Sequence, residues 1–262
     1  MKLLRFLLIL LFVAAVIAAA KPSRLFNGKS FAGWNGNLQI FRIESGAIVG
    51  GSLQDKIARN EFLCTDKQYS DFVLRAKFKL LGDPTKANAG IQFRSQRIPN
   101  DHEVIGYQAD MGQNYWGALY DESRRKKVLA QPNLNELKKV LKLNDWNEYE
   151  IRAEGNRIRL SINSFQTVDY TEADDNIAQT GCICVQIHAG PPSEAWYKDM
   201  TIEPIGKKKI VPHEKRTANV RTQLTTWLHH ILRRRARRSE PAVELDGRVS
   251  SNRCAAIADH HD

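Results

Sequence analysis

A regular alternation of apolar and polar residues recurs along this chain and constrains its fold more than any other feature. Residues 71–81, 148–153 and 157–162 all follow this pattern. Successive side chains of a strand point to opposite faces, so each segment predicts a strand with one packed face and one polar face. The sequence Glu154-Gly155-Asn156 between the last two segments predicts a tight β-hairpin.

Further short strands are predicted at residues 41–49, with a turn at Ser45-Gly46, and at residues 196–205. Helical periodicity is weak before the C-terminal part, and residues 133–143 could form either a short helix or an ordered loop. No internal repeat is evident. Many short strands joined by turns predict an all-β fold, a two-sheet antiparallel sandwich of the jelly-roll type.

Three of the predicted strands, at residues 89–95, 105–111 and 182–188, carry hydrogen-bonding groups on the face opposite their apolar residues. The alternation assigns six side chains to one concave polar surface: Gln92, Arg94, Gln108, Asp110, Gln186 and His188. Amides, a guanidinium and a carboxylate are suited to a polyhydroxylated ligand. The alternatives are a salt bridge between Asp110 and Arg94, and a structural hydrogen-bonding role for His188.

An aromatic and acidic group follows the second of these strands, and sugars stack on such rings through their C–H faces. The alternative is a core tryptophan beside a capped turn. The group consists of Tyr115, Trp116, Tyr120, Asp121 and Glu122. The complete set of predicted substrate-binding residues is Gln92, Arg94, Tyr107, Gln108, Trp116, Tyr120, Asp121, Glu122 and Gln186.

Several enzyme classes lack their signatures in this chain. There is no Gly-x-Gly-x-x-Gly turn, phosphate-binding loop, Gly-x-Ser-x-Gly elbow or His-Glu-x-x-His motif. The remaining candidates are the carboxylates, His188 and the tyrosines of the polar face. Of these we predict Asp110 and His188 to be the catalytic residues.

The two ends of the chain differ from the part between them. Residues 1–20 combine Lys2 and Arg5 with an apolar run and three alanines, which predicts a secretory signal cleaved before Lys21; an uncleaved anchor is the alternative. We therefore expect an exported, periplasmic or extracellular protein with one folded domain at residues 21–206. Residues 207–262 form a basic C-terminal tail.

The basic tail carries most of the net positive charge of the chain. From Gly206 onward there are thirteen Lys or Arg against six Asp or Glu, whereas the whole chain has a net charge of +10. The tail could be an amphipathic helix that contacts anionic surfaces, or a disordered solvated extension. The main domain has nearly balanced charge, so we expect it not to bind nucleic acid.

The four cysteines do not have the spacing of a metal site. Cys182 and Cys184 share one strand face and are poorly placed to pair with each other, so buried thiols are expected, although one disulfide bond could form after export. No cofactor is firmly implied. A divalent cation such as calcium remains open, with its ligands unknown.

The order of several motifs resembles the 3-keto-disaccharide hydrolase family. The motifs are LFNGKSFAGW at residues 25–34, GIQFRS at 90–95, GYQAD at 106–110, GALYDE at 117–122 and WNEY at 146–149. The resemblance spans nearly all of the predicted domain, and the tail lies outside it. It implies a concanavalin A-like or LamG-like jelly roll. It also implies a protein that is exported by bacteria that degrade polysaccharides, of the type found in planctomycete-like bacteria.

The resemblance also implies an activity, the cleavage of glycosides already oxidised at carbon 3 of the sugar. The carbonyl group acidifies the hydrogen on carbon 2, and its removal allows the group at carbon 1 to leave. From strand phase we expect Asp110 or His188 to be the base, with Arg94 and Gln92 as donors to the enolate oxygen. The alternatives are a non-catalytic, lectin-like carbohydrate-binding module and a structural surface protein.

Overall fold

The computed structural model describes residues 21–205, which form two packed antiparallel β-sheets and one short helix. The strands are β1 Ser23–Arg24, β2 Trp34–Asn35, β3 Phe41–Glu44, β4 Ala47–Ser52, β5 Glu61–Thr65, β6 Phe72–Gly82, β7 Asn88–Arg97, β8 Val104–Gly112, β9 Leu119–Glu122, β10 Lys127–Ala130, β11 Asn147–Glu154, β12 Arg157–Ile162, β13 Phe165–Thr171, β14 Cys182–Ile187 and β15 Ser193–Pro204. The helix, α1, is Leu134–Leu137.

Each sheet combines strands that are consecutive in the chain with strands that are distant in sequence. Sheet A has the order β13-β12-β11-β6-β15-β4-β3, with β1 paired to β15, and sheet B has the order β10-β9-β8-β7-β14-β5-β2. This architecture confirms the predicted all-β, two-sheet antiparallel jelly-roll sandwich. The predicted signal segment 1–20 and basic tail 207–262 lie outside the described residues.

The structure also contains the two predicted turns. The turns at Ser45-Gly46 and at residues 154–156 join β3 to β4 and β11 to β12. Within residues 133–143, only one turn of helix forms; it begins after Asn133, whose side-chain oxygen accepts a hydrogen bond from the Asn135 backbone N–H at 3.0 Å. No helix in the described part of the chain is long and apolar enough to cross a membrane.

The core lies between the sheets and contains two tyrosines that connect them. Both Tyr149 on β11 and Tyr197 on β15 are fully buried. The Tyr149 hydroxyl donates to the Asp110 carbonyl oxygen at 3.2 Å, and the Tyr197 hydroxyl lies 2.6 Å from the Gln186 carbonyl oxygen. Since a buried hydroxyl without a partner is costly, these contacts fix sheet A against the central strands of sheet B.

Arg94 does not lie on the polar face, so its predicted position is wrong. The pairing of β7 with β8 shifts between Phe93 and Gln96, and Arg94 has a φ of +49°, so the alternation is broken at this residue. The buried guanidinium instead donates to the Ser70 carbonyl oxygen at 3.0 Å, to the Gly155 carbonyl oxygen at 2.7 Å and to the Asp71 carboxylate at 2.9 Å. Arg94 thereby ties sheet B to the start of β6 and to the turn between β11 and β12 in sheet A.

The cysteines also differ from the favoured expectation of buried thiols. Cys64 on β5 and Cys184 on β14 face each other in neighbouring strands and form a disulfide bond that closes a sequence separation of 120 residues. Cys182 is a buried free thiol, and its Sγ atom lies 3.5 Å from that of Cys184. Cys254 lies outside the described residues.

The contacts of Arg94 predict that it stabilises the fold. The Arg94→Met variant removes the guanidinium that bonds two carbonyl groups, and it leaves Asp71 with the Gly155 N–H but without its cationic partner. We therefore expect the free energy of unfolding to fall by roughly 2–4 kcal/mol in urea denaturation. The matched control is Arg157→Met, which removes an exposed pair with Asp169 and should cost less than about 1 kcal/mol. Equal losses in the two variants would contradict the role of Arg94.

Candidate functional site

The outer face of sheet B carries a polar surface where β7, β8, β9 and β14 lie side by side. Gly90 pairs with Asp110 on one side and with Gln186 on the other, and Gln108 pairs with both Gln92 and Tyr120. A side chain at Gly90 would place its first carbon 2.6 Å from the Gln108 side chain. The glycine therefore makes room for Gln108 to lie flat across the sheet.

A cavity of about 130 Å³, here called the polar pocket, opens on this face. Its walls are Asn88, Gln108, Asp110, Gln113, Tyr115, Tyr120, Glu122 and His188. The structure thus brings together five of the predicted site residues with Tyr115 of the aromatic and acidic group, and it adds Asn88 and Gln113. The alternation along β7 could have identified Asn88, which lies four residues before Gln92 and therefore on the same face. Gln113 lies in a loop, where no alternation predicts the direction of a side chain.

Asp110 is the most deeply buried acid of the polar pocket. Asn88 donates to its carboxyl oxygen at 2.8 Å, and Gln108 also donates to it. Burial nevertheless dominates and, helped by the neighbouring charge of Glu122, raises the pKa of Asp110 to about 8. Asp110 is therefore mainly protonated at neutral pH and can donate a hydrogen bond.

Glu122 is a second carboxyl group with a raised pKa in the same pocket. Burial, and then the charge of Glu103, raise the pKa of Glu122 to about 7. A group with this pKa can both release and take up a proton near neutral pH.

His188 completes the polar pocket at the end of β14. Its backbone N–H donates to the Asn88 carbonyl oxygen at 3.1 Å, which extends the pairing of β14 with β7. Its Nδ1 atom lies 2.7 Å from the Ala189 carbonyl oxygen. Because a carbonyl oxygen only accepts, Nδ1 carries the hydrogen, and Nε2 of the neutral ring keeps its lone pair.

Gln92 and Gln186 lie beneath the polar pocket and do not line it. Both side chains are fully buried; Gln92 donates to the Gln108 side-chain oxygen, and the Gln186 amide approaches Glu122 at 3.5 Å. We therefore assign them to the support of Gln108 and Glu122. They are not placed to contact a ligand directly.

Tyr107 and Asp121 belong to a different cluster from the polar pocket. The Tyr107 ring packs in the core against Phe93, and its hydroxyl donates to Glu172 at 2.7 Å. Asp121 is fully buried and forms ion pairs with Arg124 and Arg125. Both were predicted to bind the substrate, but neither contacts the polar pocket, because both point to the inner face of sheet B.

Trp116 is also absent from the polar pocket. It is nearly buried and packs against Phe78 in the core, with ring centroids 6.4 Å apart. Its remaining surface faces a separate apolar cleft. The alternative of a core tryptophan therefore describes it better than the predicted stacking platform.

The donor atoms of the polar pocket do not form a ready cation site. Among the described residues, the only group of three His, Cys, Asp or Glu ligand atoms within 4.8 Å of one another consists of Cys64, Cys182 and Cys184. Asn88, which could offer an oxygen, presents its amide nitrogen to Asp110. These residues do not fit the calcium ion that the sequence left open.

Comparisons with solved structures support the fold and show the range of proteins that use it. A protein assigned as a glycosyl hydrolase from Parabacteroides distasonis ATCC 8503 is 17% identical, with a TM-score of 0.53 over 71% of this chain and 94% of that one. The carbohydrate binding module CBM66 from Bacillus subtilis is 16% identical, with a TM-score of 0.50 over 65% of this chain and 95% of that one.

A third structure is a protein of unknown function with a galectin-like fold from Bacillus subtilis. It is 11% identical, with a TM-score of 0.51 over 71% of this chain and 96% of that one. A search of curated protein sequences found no significant match. At these identities the solved structures establish a shared jelly-roll fold that serves both hydrolases and carbohydrate-binding modules.

The sequence itself matches a family. The family model of the 3-keto-alpha-glucoside-1,2-lyase-like domain matches residues 21–203, which include every strand that forms the polar pocket. This chain therefore belongs to the family of 3-keto-alpha-glucoside-1,2-lyase-like domains.

Proposed function

We propose that this protein cleaves glycosides oxidised at carbon 3, by elimination across carbons 1 and 2 followed by addition of water. The observation that carries the proposal is the composition of the polar pocket, which is lined by the His188 imidazole with its lone pair on Nε2, by Asp110, which is mainly protonated at neutral pH, and by Glu122, whose pKa of about 7 allows it to release and take up a proton. The family description, which refers to a 1,2-lyase acting on 3-keto-alpha-glucosides, supports the same chemistry.

His188 is the better candidate for the base of the two that the sequence offered. Asp110 keeps its proton at neutral pH, since burial raises its pKa to about 8. In the proposed step, Nε2 of His188 takes the proton from carbon 2, and the electron pair moves into the enolate formed with the carbon 3 carbonyl group.

The two carboxyl groups then have different roles. Asp110, the more buried, donates a hydrogen bond to the enolate oxygen, as a carboxyl group that burial keeps neutral can. Glu122 gives its proton to the oxygen that leaves carbon 1 when the enolate collapses. Water afterwards adds to carbon 1 while carbon 2 regains a proton, which restores the hydrolysed sugar.

A carbohydrate-binding module is the second candidate function. One specific observation favours it, the fold shared with the CBM66 module. The same amides and carboxyl groups could hold a sugar without reacting with it. The two functions differ in whether a bound 3-keto-glycoside is converted.

Export is a further part of the proposal. The bond between Cys64 and Cys184 supports it, because structural disulfides persist in oxidising compartments and are rare in the bacterial cytosol.

Turnover of matched substrates tests the proposed reaction. We expect the wild type to cleave 3-keto-glucosides and to leave the unoxidised parent glucosides intact, because only the ketone acidifies carbon 2. His188→Gln should lower kcat by about 100-fold or more while the Kd changes only a few-fold.

The control for this experiment is His102→Gln. The His102 ring also lies against a backbone carbonyl group, that of Asn60 at 3.1 Å, but outside the polar pocket. Its kcat should stay within about threefold of wild type. A His188→Gln enzyme of normal rate would rule out His188 as the base, and binding of 3-keto-glucosides by the wild type without turnover would favour the binding module.

The pH dependence of the rate tests the protonated carboxyl groups. Both groups act with their protons, so activity is present below their pKa values of about 8 and about 7 and is lost as the pH rises through them. Above these values, log(kcat/KM) of the wild type should fall with a slope near −2. Asp110→Asn and Glu122→Gln should each show a slope near −1. Identical slopes in all three proteins would contradict these roles.

The pH dependence of stability tests the state of Asp110 without a substrate. The pKa of Asp110 is about 8 in the folded protein and has its ordinary value of 3.8 in the unfolded chain. Between these two values Asp110 is ionised only in the unfolded chain, so a rising pH favours unfolding. Between pH 5 and 8, the wild type should lose roughly 2–4 kcal/mol relative to Asp110→Asn in urea denaturation. A difference that stays constant with pH would show that folded Asp110 is already ionised.

A further inference from the structure

A second and larger cavity, here called the apolar cleft, lies beside the polar pocket. It has a volume of about 330 Å³ and is bounded by α1, the segment after it and the loop between β8 and β9. Its walls include Trp116, Leu134, Leu137, Leu141 and Leu143. Leu143 is 55% exposed, so its apolar surface is available at the rim of the cleft.

Gln113 is a wall of both cavities and makes them neighbours. Its side-chain amide donates to the Lys86 carbonyl oxygen at 2.7 Å, which fixes this shared wall. The polar pocket and the apolar cleft therefore lie next to each other, on the two sides of Gln113.

The chemistry of the two cavities is different. The polar pocket offers amides, carboxyl groups and an imidazole, which suit the hydroxyl and carbonyl groups of a sugar. The walls of the apolar cleft are mostly apolar, with Gln113, Asn114 and Lys138 as the polar residues, and the Gln113 amide already donates to Lys86. The leucine side chains that form most of the surface offer no partners to the hydroxyl groups of a second sugar, and burial of unpaired hydroxyl groups is costly. An aromatic or other apolar group would gain from the same surface.

We infer that this protein prefers 3-keto-glycosides whose group at carbon 1 is apolar and about the size of an aromatic ring, and that this group binds in the apolar cleft. The inference rests on the proposed function. It narrows the substrate class from 3-keto-glycosides in general to those of apolar alcohols, and it makes Leu143 a specificity-determining residue.

Benzyl and methyl 3-keto-glucosides form a suitable test pair. Their leaving alcohols are similar in acidity, so a difference between them reports contacts of the ring and not the chemistry of departure. We expect the benzyl compound to bind roughly 10- to 100-fold more tightly to the His188→Gln variant in calorimetry. The wild type should show a comparable preference in kcat/KM.

The Leu143→Gln variant locates the ring. It should reduce the benzyl preference roughly three- to tenfold and leave the methyl compound unaffected, since the substitution removes apolar surface from the cleft only. Leu38→Gln is the matched control, because Leu38 is a similarly exposed leucine, at 59%, that lines neither cavity.

The outcomes separate this inference from the proposed function. Turnover of both compounds with equal affinity, or a 3-keto-disaccharide that binds as tightly as the benzyl compound, would overturn the inference and leave the reaction intact. A benzyl preference that Leu143→Gln does not change would also overturn it. Binding with the expected preference but without turnover by the wild type would reject the proposed reaction and keep the cleft as a binding site.

Discussion

The polar pocket depends on one constraint, the register in which β7 pairs with β8 and β14. This register places Gly90 between Asp110 and Gln186, and leaves space above the glycine for the Gln108 side chain. The hydroxyl groups of Tyr149 and Tyr197 reach from sheet A to carbonyl oxygens of the same strands. A shift by one residue would turn every polar side chain of the strand into the core, so packing and site geometry are fixed together.

The protein separates its buried acids into two electrostatic environments. On the outer face of sheet B, Asp110 and Glu122 have no arginine partner among the described ion pairs, and burial keeps their pKa values high. On the inner side, Glu172 is held by Arg125 and Tyr107, and these hydrogen bonds outweigh burial and lower its pKa to about 2. Arginine thus stabilises the ionised acids of the fold, while the pocket retains acids that can donate a proton.

Strand alternation predicted much of this arrangement because it reports the face on which a side chain lies. It predicted the two-sheet fold correctly, and it placed Gln108, Asp110 and His188 on the same face, as the structure does. It failed at Arg94 because a change of register and a positive φ break the period, and neither is visible in the residue pattern. It could not distinguish Gln186, which is buried beneath the pocket, from Gln108, which lines it.

The sequence also gave no signal for features that depend on contacts between distant segments. Gln113 enters the polar pocket from a loop, and the apolar cleft forms only where α1 meets the loop between β8 and β9. The partners of Asp121 lie three and four residues away, yet the choice between a salt bridge and a ligand site needed the tertiary structure.

The most direct test of the central claim is to run the reaction in D₂O with a 3-keto-glucoside and to follow carbon 2 of the product by NMR. Removal of the carbon 2 proton predicts one deuterium at that carbon at the rate of cleavage, well above the exchange of the product incubated alone; a product formed with its original hydrogen at carbon 2 would contradict the account.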